Sequence, residues 1–333
     1  MKNVKVILIS VALCATVFAN QRIAALGGAA FWSGDRANVG IFPATINDHQ
    51  FLEINGVGNG DGVDATLLWG DATKWGFNFT SADYNTWFNV MWGNGDVGLN
   101  VAYKTSDWCA DDGVIIGECT GFDVGYGQNF DWGELGVGFS SMEDWSAYWA
   151  NWRADMDAWV FDTATASMRM TDDGANSTTM DLSFDLFTHL DAGAADILFA
   201  LGVDYASHDA GGAKTTWMTL PSATIAVESA LNDWATLRAF VSHRYQFSCS
   251  SDNGTCADDM AGPFMSEVEF DENNGNQTNY GFGLGFNWGS AALDMTVGET
   301  LFMDPVTTMT GWNQTDGTSD NLANAEVTLS YTF

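Results

Sequence analysis

The stretch AEVTLSYTF, residues 325–333, closes the chain on an aromatic residue. Chain ends are usually polar and prone to fray. Here Ala325, Val327, Leu329, Tyr331 and Phe333 are apolar, while Glu326, Thr328, Ser330 and Thr332 between them are polar. This is the period of two of a β-strand, carried to the last residue.

The same alternation recurs upstream. MDLSFDLF sets Met180, Leu182, Phe184 and Leu186 on one face and Asp181, Ser183 and Asp185 on the other. YGFGLGFNWG sets Tyr280, Phe282, Leu284, Phe286 and Trp288 against Gly281, Gly283, Gly285 and Asn287. Marking such segments predicts sixteen strands, near 51–56, 63–69, 74–80, 86–92, 97–105, 121–130, 134–141, 151–161, 164–171, 178–190, 196–208, 215–229, 234–248, 278–288, 292–302 and 324–333.

A soluble β-sandwich also alternates, so the connections decide the solvent. Short links such as 70–73, 93–96, 131–133, 231–234 and 289–291 alternate with long ones at 106–120, 249–277 and 303–323. Short turns on one side and long loops on the other are the mark of a transmembrane antiparallel β-barrel, an all-β fold with short periplasmic turns and long extracellular loops. We expect about sixteen strands, with fourteen as the alternative. A closed barrel must pair its last strand with its first, which gives the apolar ending a purpose. Trp69, Trp75, Trp92, Trp132, Trp234 and Trp288 fall at the short-turn ends, where an aromatic girdle would mark the membrane interface.

Val327, Leu329, Tyr331 and Phe333 together resemble the C-terminal signal read by bacterial barrel-assembly machinery. The resemblance implies a porin-like Gram-negative outer-membrane β-barrel surrounded by lipid bilayer and lipopolysaccharide.

Composition agrees with a large buried surface. The chain is 46% hydrophobic with 15 Trp and 22 Phe, too apolar for a disordered acidic chain. Lys2 and Lys5 precede an apolar run ending at Val17-Phe18-Ala19, so residues 1–19 are expected to be a signal peptide. Beyond it no apolar run approaches the roughly 20 residues of a membrane helix. The net charge of −32 excludes nucleic acid as a partner, because phosphates would be repelled. Such acidity reads as a solvated surface or as a path that attracts cations.

Cys109 with Cys119 and Cys249 with Cys256 form two close pairs. In an exported chain these read as loop-closing disulfides. Zinc is the rival, but the spacings match no common zinc pattern.

With the apolar stripe toward lipid, the other stripe faces the lumen. It carries Asn78, Asn100, Lys104, Asp155, Asp157, Asp181, Asp185, Asp204, Glu228, Arg238, Arg244, Asn287 and Asp294. Asp181, Asp185, Asp204 and Glu228 would attract cations, and Arg238 and Arg244 would shape a constriction. Equally, these charges could pair across strands and fill a closed lumen.

The segment AALGGAAFWSGDRANVGIFPATI (24–46) is irregular. Its Leu-Gly-Gly-Ala followed by Asp35, Asn38 and Pro43-Ala44 resembles the N-terminal region of the long-chain fatty-acid transporter family. That resemblance implies a 14-stranded barrel, uptake of hydrophobic ligands and an N-terminal segment inside the lumen. Phe42 departs from the pattern, which has Asn before Pro-Ala.

Other chemistry is sparse. His49, His189, His208 and His243 are scattered, and no Ser/His/carboxylate spacing resembles a nucleophile arrangement. We therefore expect no enzyme and no cofactor. Residues 58–64 and 313–321 are rich in Asp and Asn but lack the closing Glu of a calcium loop, so Ca²⁺ there is a weak expectation. The expected organisation is a signal peptide (1–19), an N-terminal segment (20–50) and a barrel (51–333). The expected function is passive diffusion of small solutes with a cation preference. The alternatives are a plugged transporter of hydrophobic molecules and a surface protein without transport. A homo-oligomer is compatible with the class.

Overall fold

Sixteen strands realise the alternation in a computed structural model that describes residues 20–57, 62–82, 85–111, 114–143, 145–174, 177–252, 277–297 and 326–333. They are β1 (Phe51–Val57), β2 (Gly62–Gly70), β3 (Lys74–Ala82), β4 (Asn85–Gly93), β5 (Val97–Asp111), β6 (Val114–Phe130), β7 (Gly133–Met142) and β8 (Trp145–Ala158). The second half comprises β9 (Phe161–Asp172), β10 (Ser177–Asp191), β11 (Ala195–Ala210), β12 (Ala213–Asn232), β13 (Ala235–Ser251), β14 (Gln277–Trp288), β15 (Ala291–Val297) and β16 (Val327–Thr332).

Each strand pairs antiparallel with its sequence neighbours, and β16 closes on β1 to complete the barrel. Phe51 lies opposite Thr332 and Glu53 opposite Ser330. The ending thus does what its pattern suggested, satisfying the first strand's backbone. The fourteen strands implied by the family resemblance are set aside.

Exposure is inverted relative to a soluble protein. Val101 and Tyr103 are 52% and 56% exposed, while the alternate residues Asn100 and Lys104 are buried. On β3 the same holds for exposed Phe77 and Phe79 around buried Asn78. A wall that is apolar outside and polar inside matches a barrel whose surroundings are hydrocarbon. No helix among the described residues is long and apolar enough to cross a membrane.

Two boundaries depart from expectation. Residues 106–120, expected as a loop, continue the ladder, with Asp111 opposite Val114 at the end of the β5–β6 hairpin. The strand expected at 151–161 begins earlier, at Trp145, and ends at Ala158. On the side away from the short turns, length therefore comes partly from strands that run on, as in the 20-residue β12. The signal peptide, Cys256, residues 58–61, most of 249–277 and the 303–323 stretch lie outside the described residues.

Before β1, residues 20–50 form a short helix α1 (Gln21–Ala24) and three 3₁₀ segments, Ala29–Phe31, Arg36–Gly40 and Pro43–Asp48. Asn20 caps α1 by accepting from the Ile23 N–H, and Asp35 caps Arg36–Gly40 by accepting from the Ala37 N–H. Gly27 and Gly28 turn the chain between them with φ of +80° and +138°, values that other residues rarely adopt.

The inside–outside assignment predicts that Val101→Arg costs about 2–4 kcal/mol if the residue lies near the bilayer midplane. Denaturant unfolding of the protein refolded in vesicles would measure it. A neutral effect would contradict the assignment.

Candidate functional site

The inward face is the site, and glycine lets the N-terminal segment reach it. A Cβ on Gly98 would lie 1.8 Å from the Pro43 carbonyl oxygen, one on Gly127 2.3 Å from Ala44 N, and one on Gly136 2.2 Å from the Ile41 oxygen. Residues 41–44 thus rest directly on the backbones of β5, β6 and β7. On the other side of the lumen, Gly283 and Gly281 meet Ala25 and Ala24.

Apolar packing fills part of the contact. Ile23, Leu26, Trp32, Phe187 and Leu198 are buried in one cluster, with Phe31 and Phe240 against it. Val39, Ile46, Phe51, Leu68 and Met91 make a second. Each buried apolar side chain contributes about 1.5–3 kcal/mol.

Charged contacts fix the orientation. Arg22 bonds Glu228 of β12 through both Nε (3.0 Å) and Nη2 (2.7 Å) and also pairs with Asp35. Arg36 pairs with Glu53 of β1 and approaches Asp294 of β15 at 3.7 Å. Arg153 of β8 binds Glu134 and donates to the Ala30 carbonyl at 2.7 Å and to Asn38 at 3.2 Å. His189 lies between Asp196 (2.9 Å) and the Phe31 carbonyl (2.8 Å). Gln21 reaches the closing strand, its N–H donating to Thr328 at 3.0 Å and its amide to Glu326 at 2.6 Å.

Burial opposes the Arg22 charge, but hydrogen bonding to Glu228 and the negative charges of Asp35 and Glu228 outweigh it and hold its pKa above the ordinary arginine value. Burial lowers the pKa of His49, with Asp48 and Asp35 pulling it the other way.

Asp181, Asp185, Asp204, Glu228, Arg238 and Arg244 lie on the inward face, in one sector from β10 to β13. Arg238 does not oppose an acidic row across open space. It binds Glu228 (2.7 Å) and Asp294 (2.6 Å) as a neighbour along the wall. Arg244 Nε lies 3.5 Å from Asp204. Asp181 faces Arg169 in register, and the Asp185 carboxylate lies over Gly202. Lys104 pairs with Asp123 and sits 4.2 Å from the Trp87 ring centroid.

Sequence reasoning missed Arg22, Arg36, Arg153, Glu53 and Glu134. The inward glycines were the available signal, since they mark where a backbone approaches the wall. The six predicted tryptophans stand at the short-turn end, five of them exposed and Trp92 partly buried. Trp159, 92% exposed at the β8–β9 turn, joins them and was not foreseen. Trp234 and Trp288 both stack on Phe286.

No family model matches the chain, and no curated protein matches it. Similar solved structures include a bacterial polysaccharide outer-membrane secretin (14% identity, TM-score 0.49, 86% of this chain and 99% of that one). OmpT of Vibrio cholerae is 13% identical over 85% of this chain and 94% of that one, with a TM-score of 0.43. A Pseudomonas aeruginosa FadL homologue is 10% identical over 95% and 98%, with a TM-score of 0.35. At such identity these likenesses concern the fold alone.

The closed wall, its apolar outer face and its polar inner face define a bacterial outer-membrane β-barrel. The expectation that the chain is not an enzyme is corrected: an outer-membrane barrel fold does not by itself exclude catalysis. Nothing among the described residues points to an enzyme either.

The Arg36–Glu53 pair gives a direct test. Arg36→Ala, which leaves Glu53 buried beside no cation, should destabilise the barrel by about 3–5 kcal/mol. Adding Glu53→Gln should recover part of that loss in denaturant unfolding. Additive losses would contradict the pairing.

Proposed function

We propose that this protein is an outer-membrane channel for small polar solutes, with a preference for cations, in which residues 20–50 form a plug at the short-turn end. The observation that carries the reading is the accounting of charge in the lumen. Arg22, Arg36, Arg153, Arg238 and Lys104 are each held by a carboxylate at close range. Asp64, Asp155, Asp181 and Asp185 lie on the same face and are in none of the ion pairs of the described residues, against Arg169 among the cations, so carboxylates remain in excess. An aqueous path past this wall therefore carries surplus negative charge, which favours cations.

The plug narrows the path. Two cavities, of about 350 and 470 Å³, lie along its edges, one lined by Asp48, Arg36 and Asp294 and the other by Glu134, Asp155 and His189. The second lining is the more polar and suits hydrated solutes better than hydrophobic ones, while the first is mixed, with Phe51 and Phe286 beside its charges. The apolar contacts between plug and wall are packed, which is why the fatty-acid-transporter reading ranks second.

The remaining assignments belong to the same reading. The tryptophans at the short turns form the periplasmic girdle. Val327, Leu329, Tyr331 and Phe333 are the assembly signal. Cys119 pairs with Cys109, which lies two strand positions from the tip of the β5–β6 hairpin, and Cys249 pairs with Cys256. In support, neither Cys119 nor Cys249 is a free thiol.

Single-channel current through the refolded protein tests the function. We expect small, intermittent conductance and a cation-selective reversal potential in a salt gradient. Asp181→Asn/Asp185→Asn should move that potential toward zero, and Arg22→Ala/Arg36→Ala should increase the open time. A folded barrel passing no current in either form would overturn the channel reading. Anion selectivity would overturn the cation preference.

A further inference from the structure

One transverse row of the inward face differs from the rest of the wall. The register places Trp149 of β8 opposite Arg169 of β9 and Arg169 opposite Asp181 of β10. Asp181 then meets Ala206 of β11, and Ala206 meets Trp217 of β12. Asp204, two residues along β11 on the same face, adds a second carboxylate.

Two features of this row point to a ligand. The first is aromatic. A Cβ built on Gly138 would lie 2.2–2.5 Å from Cε2, Cζ2 and Nε1 of Trp149, so the indole lies along the wall over that glycine. In this pose one indole face is against the backbone and the other looks into the lumen. Trp217, on the same inward face, stands at the far end of the row. Lumen-facing indoles are costly in a water-filled passage unless an apolar surface covers them.

The second feature is polar. Arg169 Nε, Trp217 Nε1, Asp181 Oδ2 and Asp204 Oδ2 are buried and have no hydrogen-bond partner among the described residues, although Asp204 Oδ2 also lies 3.5 Å from Arg244 Nε in an ion pair. Two are obligate donors and two are acceptors. A metal ion would satisfy only the carboxylates, and an anion only the arginine and the indole. A hydroxyl both donates and accepts, so a polyol serves all four at once after small side-chain adjustments. Buried polar groups left unmatched are costly and call for a partner.

We infer that the row from Trp149 through Arg169 and Asp181 to Trp217 is a binding site for neutral carbohydrate. The C–H faces of a sugar ring would stack on the indoles, and its hydroxyls would bond Arg169, Asp181, Asp204 and the Trp217 N–H. An oligosaccharide suits the row better than a monosaccharide, because the two tryptophans are four strands apart, roughly 19 Å at ordinary strand spacing. The inference rests on the channel reading for its route, since it names the solute class of that same lumen, but the site's chemistry stands on the wall alone.

Two measurements separate the two. The first is titration calorimetry of maltotriose into the protein refolded in a detergent without a sugar headgroup, which needs no conduction. The second is block of single-channel current by maltotriose. We expect saturable heat, saturable block, and a loss of affinity of about tenfold in Trp149→Ala, the effect of removing one stacking partner together with its contact area. Asp181→Asn preserves the side chain's shape and should weaken binding in the same direction, which keeps the test valid if Trp149→Ala fails to fold. Heat without current would overturn the channel reading and support the site. Current without heat or block would overturn the site and leave the channel. Binding unchanged in both variants, or block by a zwitterionic amino acid such as glycine and not by maltotriose, would also overturn it.

Discussion

A closed barrel turns one row of side chains inward at every strand, and each polar group on that row must find a partner or water. In this protein the requirement is met largely from within the chain. Residues 20–50 bring two arginines, a run of backbone carbonyls and a set of apolar side chains to a wall whose glycines admit them. Arg22 on Glu228 and Arg36 on Glu53 are the contacts on which this arrangement turns, because each couples a carboxylate of the wall to the segment. Without the cations, Glu53 would lose its ion-pair partner, while Asp294 would keep its pair with Arg238.

The position of these contacts also bears on barrel closure. Gln21 bonds Thr328 of β16, Thr296 of β15 donates to Gln21 at 2.6 Å, and Arg36 reaches β1 and β15. Thr328 in turn donates to Asn55 of β1 at 2.5 Å. β1, β15 and β16 meet here, and the segment bridges both sides of their seam. Plug and closure are thus one structure, and a change that loosens one should loosen the other.

Much of the wall was legible because hydrocarbon outside and polar groups inside impose a period of two that few other solvents require. It failed where that contrast fails. WSAYWANW, residues 145–152, carries Trp145 and Trp149 inward and Tyr148 outward, so both faces read as apolar and the start of β8 was placed late. Residues 106–120 alternate poorly because a hairpin that extends past the membrane has no lipid face to mark it. The plug was less legible still. Arg22 and Glu228 are 206 residues apart, and no local pattern links them. Only the inward glycines and the Leu-Gly-Gly-Ala turn hinted at it. The partners of the lumen charges could not be read from the sequence, since cross-strand pairing depends on register.

The central claim is that residues 20–50 are held inside the wall as an ordered part of the fold. Hydrogen–deuterium exchange of the membrane-embedded protein tests it most directly. The account predicts that amides of Ala37, Asn38, Ile41, Phe42 and Thr45, which are bonded within the segment, exchange on the slow timescale of the surrounding strands. Exchange of those amides at the rate of an unstructured chain, with the strands still protected, would contradict it.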